Sequence, residues 1–203
     1  TISGTPGFVI NGLTPSTLYN VRVKSDCGDG ESSFITISFR TPCLTTIVTG
    51  DNPFSEDFNT LTAGIPECWD NSEGTTSYYD YKWNYYSAGE FGAGLRFDSY
   101  YNPNGYTNKL KTPVLDLTAL STPIVGFSYK NPNGGDFSVL LSTDGGYTDT
   151  IVIATGLTST STWTDVEYNL PNLTDASYVV IVFQGTSNWG NGDAYIYLDN
   201  VFV

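Results

Sequence analysis

Ala194-Tyr195-Ile196-Tyr197-Leu198-Asp199-Asn200-Val201-Phe202-Val203 alternates rings and polar groups with aliphatic groups, and that alternation decides the fold class. Successive side chains of an extended chain point to opposite faces, so Tyr195, Tyr197 and Asp199 are expected opposite Ile196, Leu198 and Asn200. Upstream, Tyr178-Val179-Val180-Ile181-Val182-Phe183 sets Val179, Ile181 and Phe183 on one face yet is apolar on both. That is the pattern of a central strand covered on each side. Further strand-like runs cover residues 95–98, 109–117, 124–130, 137–142, 150–154, 164–170, 178–185 and 194–203. Their spacing, with turn residues between them, predicts two packed antiparallel sheets. Most of the aromatic side chains read as core or cross-strand pairs.

Composition points the same way. Fifteen Tyr, 11 Phe and 4 Trp, with abundant Thr, Ser and Gly, suit pleated strands joined by tight polar turns. Eight basic residues against 21 acidic ones leave a formal charge of −13. Such a surface repels a phosphate backbone rather than releasing its counterions, so nucleic acid and anionic membranes are poor partners. The same carboxylates suit Ca²⁺, which takes oxygen ligands, or simply form a solvated acidic surface. No apolar run is long enough to span a bilayer, and no signal peptide opens the sequence.

Residues 5–43 carry three short strand signals, at 8–10, 19–24 and 34–40. Gly12-Leu13-Thr14-Pro15-Ser16-Thr17-Leu18-Tyr19-Asn20-Val21-Arg22-Val23 resembles the E-to-F corner of a fibronectin type III domain, where a Tyr hydroxyl, here that of Tyr19, ties the corner to nearby backbone. The likeness runs on to Thr41-Pro42-Cys43 but covers only the trailing half of such a domain, as in a fragment of a longer chain. Half a sandwich leaves an apolar face that either packs on the following domain, pairs with another copy or stays mobile. Cys27 follows the second of these strands and Cys43 ends the third; antiparallel pairing is expected to bring them together in a disulfide, consistent with an oxidising compartment. Cys68 is then left over as a small buried residue, since the chain has no His to activate it. Residues 44–52 read as a linker.

From residue 53 onward, Pro53-Phe54-Ser55-Glu56-Asp57-Phe58, Ile65-Pro66-Glu67-Cys68-Trp69, Leu110-Lys111-Thr112-Pro113-Val114-Leu115-Asp116-Leu117 and Tyr197-Leu198-Asp199-Asn200-Val201-Phe202-Val203 follow in order. Together they resemble the MAM-like jelly rolls, in particular the cleaved-adhesin and choice-of-anchor J domains of bacterial surface proteins and gingipain-type proteases. The resemblance covers residues 53–203 and implies an all-β, antiparallel jelly-roll sandwich, here preceded by the partial fibronectin type III unit of residues 1–43. It implies adhesion as a secreted or cell-surface module beside neighbouring domains of the same parent chain, and a structural Ca²⁺. In related folds the first and last strands adjoin near that ion, which would bring Glu56 or Asp57 to Asp199, with Asp98 and Asp193 as weaker ligands.

Ser142-Thr143-Asp144-Gly145-Gly146-Tyr147-Thr148 resembles a single Asp-box, whose Asp and Gly residues serve a hairpin turn. Three aromatic-rich loops, 78–86, 100–106 and 187–193, offer rings for sugar stacking and amides for hydroxyls. Trp69 and Trp83 sit at positions related domains bury, so Trp189, with Asn188 and Asn191, is the expected ligand platform, a core role being the alternative. No His is present for a triad, and no phosphate-cradling loop is seen. The expected function is a non-catalytic adhesion or carbohydrate-binding module whose partner is a glycan or an extracellular protein. The alternatives are a Ca²⁺-stiffened spacer and a small glycoside hydrolase working with a carboxylate pair.

Overall fold

Alternation becomes pairing in the computed structural model of the chain, which describes residues 7, 9–26, 28–75, 81–100, 102–146, 148, 151–173, 176–190 and 194–203. The chain divides into two units, Thr1–Leu44 and Thr45–Val203. Among the described residues every regular element is a strand, and no helix is long and apolar enough to cross a membrane.

In the first unit β1 (Leu18–Val23) pairs antiparallel with β2 (Ile35–Arg40), Leu18 opposite Arg40 and Val23 opposite Ile35. This register sets Tyr19, Val21 and Val23 with Phe39, Ile37 and Ile35 on one face. Val23, Ile35 and Ile37 of that face are exposed. The Tyr19 hydroxyl accepts the Thr14 N–H at 2.8 Å, the corner tie read from the sequence.

Cys27, expected to bridge Cys43, lies outside the described residues. Cys43 follows Arg40, at the Leu18 end. Cys68, expected to be left over, is disulfide-bonded, as is Cys43.

The second unit begins earlier than residue 53. β3 (Thr46–Ile47) pairs in parallel with β8 (Leu115–Asp116), and Val48 is buried, so part of the expected linker belongs to the sandwich. The other strands are β4 (Ser55–Glu56), β5 (Asn84–Tyr86), β6 (Gly94–Asp98), β7 (Thr107–Lys111), β9 (Ile124–Asn131), β10 (Asp136–Ser142), β11 (Ile151–Ala154), β12 (Thr160–Asn169), β13 (Val180–Thr186) and β14 (Tyr195–Phe202). One sheet runs β11-β10-β13-β7 and the other β12-β9-β14-β6-β5, with β4 also on β14. The run 109–117 is split into β7 and β8 around Pro113, which has no N–H to give a ladder. At the Asp-box the Asp144 carboxylate accepts the Thr148 N–H, while Gly145 and Gly146 adopt φ of 78° and 92°, the turn role expected.

Facing rings join the sheets. Phe127 of β9 meets Phe183 of β13 at 5.3 Å and Phe137 of β10 at 6.1 Å, centroid to centroid. Burying such a ring contributes roughly 2 kcal/mol. Val180, Ile181, Val182 and Phe183 are all buried, as the doubly apolar run of β13 requires. Trp69 and Trp83 are core, as expected.

Gly185 of β13 shows how closely the sheets meet: a Cβ there would lie 2.6 Å from the fully buried Phe97 ring. Gly185→Ala is therefore expected to destabilise the jelly roll by about 1–3 kcal/mol through overpacking, measured by urea unfolding. An unchanged midpoint would show that the Phe97 ring yields freely.

Candidate ligand-binding face

Strand β14 lies in the middle of the larger sheet, so its two faces have different fates. Ile196 and Leu198 enter the core, while Tyr197, although buried, lies outside it, on the opposite face. In register, Tyr197 stands opposite Arg96 of β6 on one side and Lys130 of β9 on the other, and Arg96 stands opposite Asn84 of β5. One row, Asn84, Arg96, Tyr197 and Lys130, thus crosses four strands. Pleating keeps Tyr195, Asp98 and Tyr86 on the same face.

Rings and cations interleave along this face. Tyr86 packs 4.8 Å from Tyr197, and Trp163 of β12 lies 6.2 Å from it. The Lys130 ammonium sits 4.5 Å from the Tyr197 centroid and 5.3 Å from that of Trp163. Arg96 lies 5.2 Å from Tyr86 and 5.1 Å from Tyr195, and its guanidinium donates to Asp98 at 3.0 Å. Burial pushes the Tyr197 hydroxyl above its ordinary pKa, with the nearby Tyr86 acting the same way and Arg96 opposing. Tyr197 therefore remains a neutral phenol at physiological pH.

At the β5 edge the face opens into a cavity of 580 Å³ lined by Tyr81, Lys82, Asn84, Tyr85, Arg96 and Asp98, among others. Its inner wall is fixed by Asn108. The Asn108 amide accepts the Trp83 N–H at 2.9 Å and donates to the carbonyls of Asn71 and Glu73, while the Trp83 indole donates to the Asn108 carbonyl. A volume in the range of small-ligand sites, with two cations, a carboxylate, an amide and phenol rings, suits a hydroxyl-rich molecule that also has apolar faces.

The residues expected to bind a ligand sit elsewhere. Trp189 is half-buried with its ring edge-on to Tyr100 at 4.8 Å. The Asn188 side-chain oxygen already accepts the Ala194 N–H at 2.8 Å and the Ser99 hydroxyl at 3.2 Å, so it ties loops together. Asn191 and Asp193 lie outside the described residues, as do Tyr78, Tyr79 and Tyr101 of the aromatic loops. The face-forming Tyr195 and Tyr197 were legible as a stripe but read as cross-strand pairs. Lys130 carried no sequence signal beyond its place at the end of the run 124–130, and Trp163 fell just outside the run 164–170, which begins earlier as β12.

Strands β4 and β14 do adjoin, Glu56 opposite Val201, as the metal reading requires. The carboxylates, however, are turned to backbone donors. Glu56 accepts the Phe58 N–H at 2.8 Å and Asp57 the Asn59 N–H at 3.0 Å. Asp199 accepts the Glu90 N–H at 2.7 Å and the Asn200 N–H at 2.8 Å. Burial pushes its pKa up against these bonds and a further one from Phe91. Among the described residues no three acidic, His or Cys side chains converge as a metal site would need, and Asp98 is committed to Arg96. Through these bonds Asp199 clamps residues 90–91 to the end of β14.

Solved structures share this architecture. The K1 cleaved adhesin domain of Lys-gingipain from Porphyromonas gingivalis W83 matches at 20% identity with a TM-score of 0.57, covering 74% of this chain and 96% of that one. The K2 domain of Lys-gingipain matches at 17% identity and 0.55, covering 75% and 98%. The K3 domain, from the same organism as K1, matches at 20% and 0.51, covering 73% and 96%. The chain has the cleaved-adhesin jelly-roll fold. No protein-family model and no curated protein matches it in sequence. The jelly roll expected from the ordered motifs of residues 53–203 is thus the fold observed.

Removing the Asp199 carboxylate, itself buried, leaves the part-buried Glu90 and Asn200 N–H groups without their acceptor. Asp199→Ala is expected to cost about 2–4 kcal/mol, equally in Ca²⁺ and in chelator, by thermal or urea melts. A loss seen only with Ca²⁺ present would return Asp199 to a metal site.

Proposed function

We propose that the chain is a non-catalytic glycan-binding adhesion module of a secreted or cell-surface protein, and that its ligand lies across the outer face of the larger sheet. The observation that carries this reading is the row of Trp163, Tyr197, Tyr86 and Tyr195 with Lys130 and Arg96 between them, leading into the Asn84 and Asp98 cavity. Apolar faces of sugar rings stack on aromatic rings, while charged and amide groups take their hydroxyls. The rings already contact one another, so little side-chain freedom is lost on binding. The solved domains sharing the fold are called adhesins, which supports adhesion as the purpose. Disulfide-bonded Cys43 and Cys68 support an oxidising, extracellular setting.

Glycan-array and calorimetric measurements test the proposal. Trp163→Ala is expected to weaken glycan binding by about ten-fold or more, since base-like stacking on one ring contributes roughly 1–3 kcal/mol, while the half-exposed position limits its effect on the melt. Trp189→Ala should leave affinity unchanged. Binding that survives loss of Trp163 but not of Trp189 would move the site to the 187–193 loop.

A further inference from the structure

Lys130 stands apart from the other cations whose partners are seen. Lys24 pairs with Glu31, Arg96 with Asp98, and Lys109 and Lys111 both with Glu73. Among the described residues Lys130 makes no ion pair and has two aromatic rings as its neighbours instead. In a chain with 21 carboxylates and eight basic residues, an ammonium kept from all of them is unexpected on charge balance alone.

A carboxylate is close by. Asp165 of β12 lies opposite Ser128, which is two positions along β9 from Lys130 on the same face, ~7 Å away. Yet Asp165 accepts the Ser128 hydroxyl at 2.6 Å, and Asp98 is taken by Arg96. Asp199, which also lies opposite Ser128, accepts backbone N–H groups, and Glu167 lies farther along, opposite Gly126, four positions or ~13 Å from Lys130. The acids in register nearest Lys130 are thus held by other donors, while the Lys130 charge stays half-buried between rings at the centre of the stacking surface. Cation–π contact holds the ammonium in place without neutralising it. A ligand of hydroxyls alone gains nothing from a full positive charge that an amide would not supply; a ligand with its own negative charge does.

We propose that this face selects an anionic glycan, one whose sugar rings carry a carboxylate or a sulfate, and that Lys130 reads that charge. The inference rests on the glycan-binding reading above and narrows its ligand class. The formal charge of −13 does not oppose it. At physiological salt the Debye length is about 8 Å, so carboxylates elsewhere on the surface are screened while an anion in contact with Lys130 is not. Arg96, on the same row with Tyr197 between, lies two strand spacings or ~10 Å from Lys130 and offers a second, partly neutralised contact.

The test compares oligogalacturonate, its fully methyl-esterified neutral counterpart and a sulfated galactan oligosaccharide by calorimetry on the whole chain. The acid or sulfated form is expected to bind about ten-fold or more tightly than the neutral one, as a charge-assisted contact implies. Binding of the acid arm assigns a carboxylate and binding of the sulfated arm alone a sulfate. Lys130→Gln should erase the preference, bringing affinity for the charged form down to that for the neutral form at an unchanged melting temperature, and Lys130→Arg should keep it. Equal affinity for charged and neutral forms would overturn the inference and leave the proposed function standing. A Lys130→Gln variant that loses stability and binds all forms equally weakly would make Lys130 a brace between rings and overturn it too. Silence toward every oligosaccharide, these and a neutral glycan panel alike, would remove the proposed function with it.

Discussion

A carboxylate that is 99% removed from solvent has to find donors, and Asp199 finds them in the backbone. Its oxygens take N–H groups from residues 90 and 91, more than a hundred positions earlier, and from Asn200 beside it. This fixes the loop that leads into β6, and the fit is tight enough that a Cβ at Gly89 would lie 2.5 Å from the carboxylate. The next residue, Asn200, adopts φ of 49°, and the pairing of β14 with β9 shifts register between Asp199 and Phe202. The strict alternation of β14 therefore ends there. Asn200 does not follow Ile196 and Leu198 into the core but donates to Glu90 and Ser128.

That break divides the outer face of the sheet. Beyond Asp199 the Phe202 ring covers Gly126, where a side chain would have no room. Before Asp199 the alternation is intact, and Tyr197 and Tyr195 are held outward by a strand whose other face is fully buried in Ile196 and Leu198. The rings stand where they do because the core allows no other register: a slip by one residue would bury two phenols and expose two aliphatic side chains. Cavity, rings and cations share a scaffold whose position is set by core packing and by one clamp.

The fold was largely legible in the sequence because strands announce themselves locally. β9, β10, β13 and β14 fall where their alternation placed them, and the doubly apolar run of β13 is buried on both faces. Pro113 marked a break within 109–117 that the run concealed. The site was less legible, because it is made by register between distant strands. Nothing near Lys130 in sequence says that Tyr197 and Trp163 flank it. The partners of Asp199 were hidden for the same reason, because a carboxylate read alone shows its charge but not the backbone N–H groups it accepts. The cysteine reading left Cys68 over because a sequence does not show which residues meet in space; in the fold it is disulfide-bonded.

Ring clusters on a sheet surface invite a purely structural explanation, since cross-strand aromatic pairs stabilise sheets by themselves. Stabilisation alone, however, needs no cation without a counter-ion, and on this face the two carboxylates best placed to supply one are each engaged by a different donor. Nor does it need the row to run into a cavity with an amide, a carboxylate and three further cationic or phenolic groups, Tyr81, Lys82 and Tyr85, along its wall. A surface built only to hold its strands together would bring its charges together in pairs, as Glu73 does with Lys109 and Lys111 elsewhere in the same jelly roll. The outer face keeps one charge unspent, and that is the feature a ligand can use.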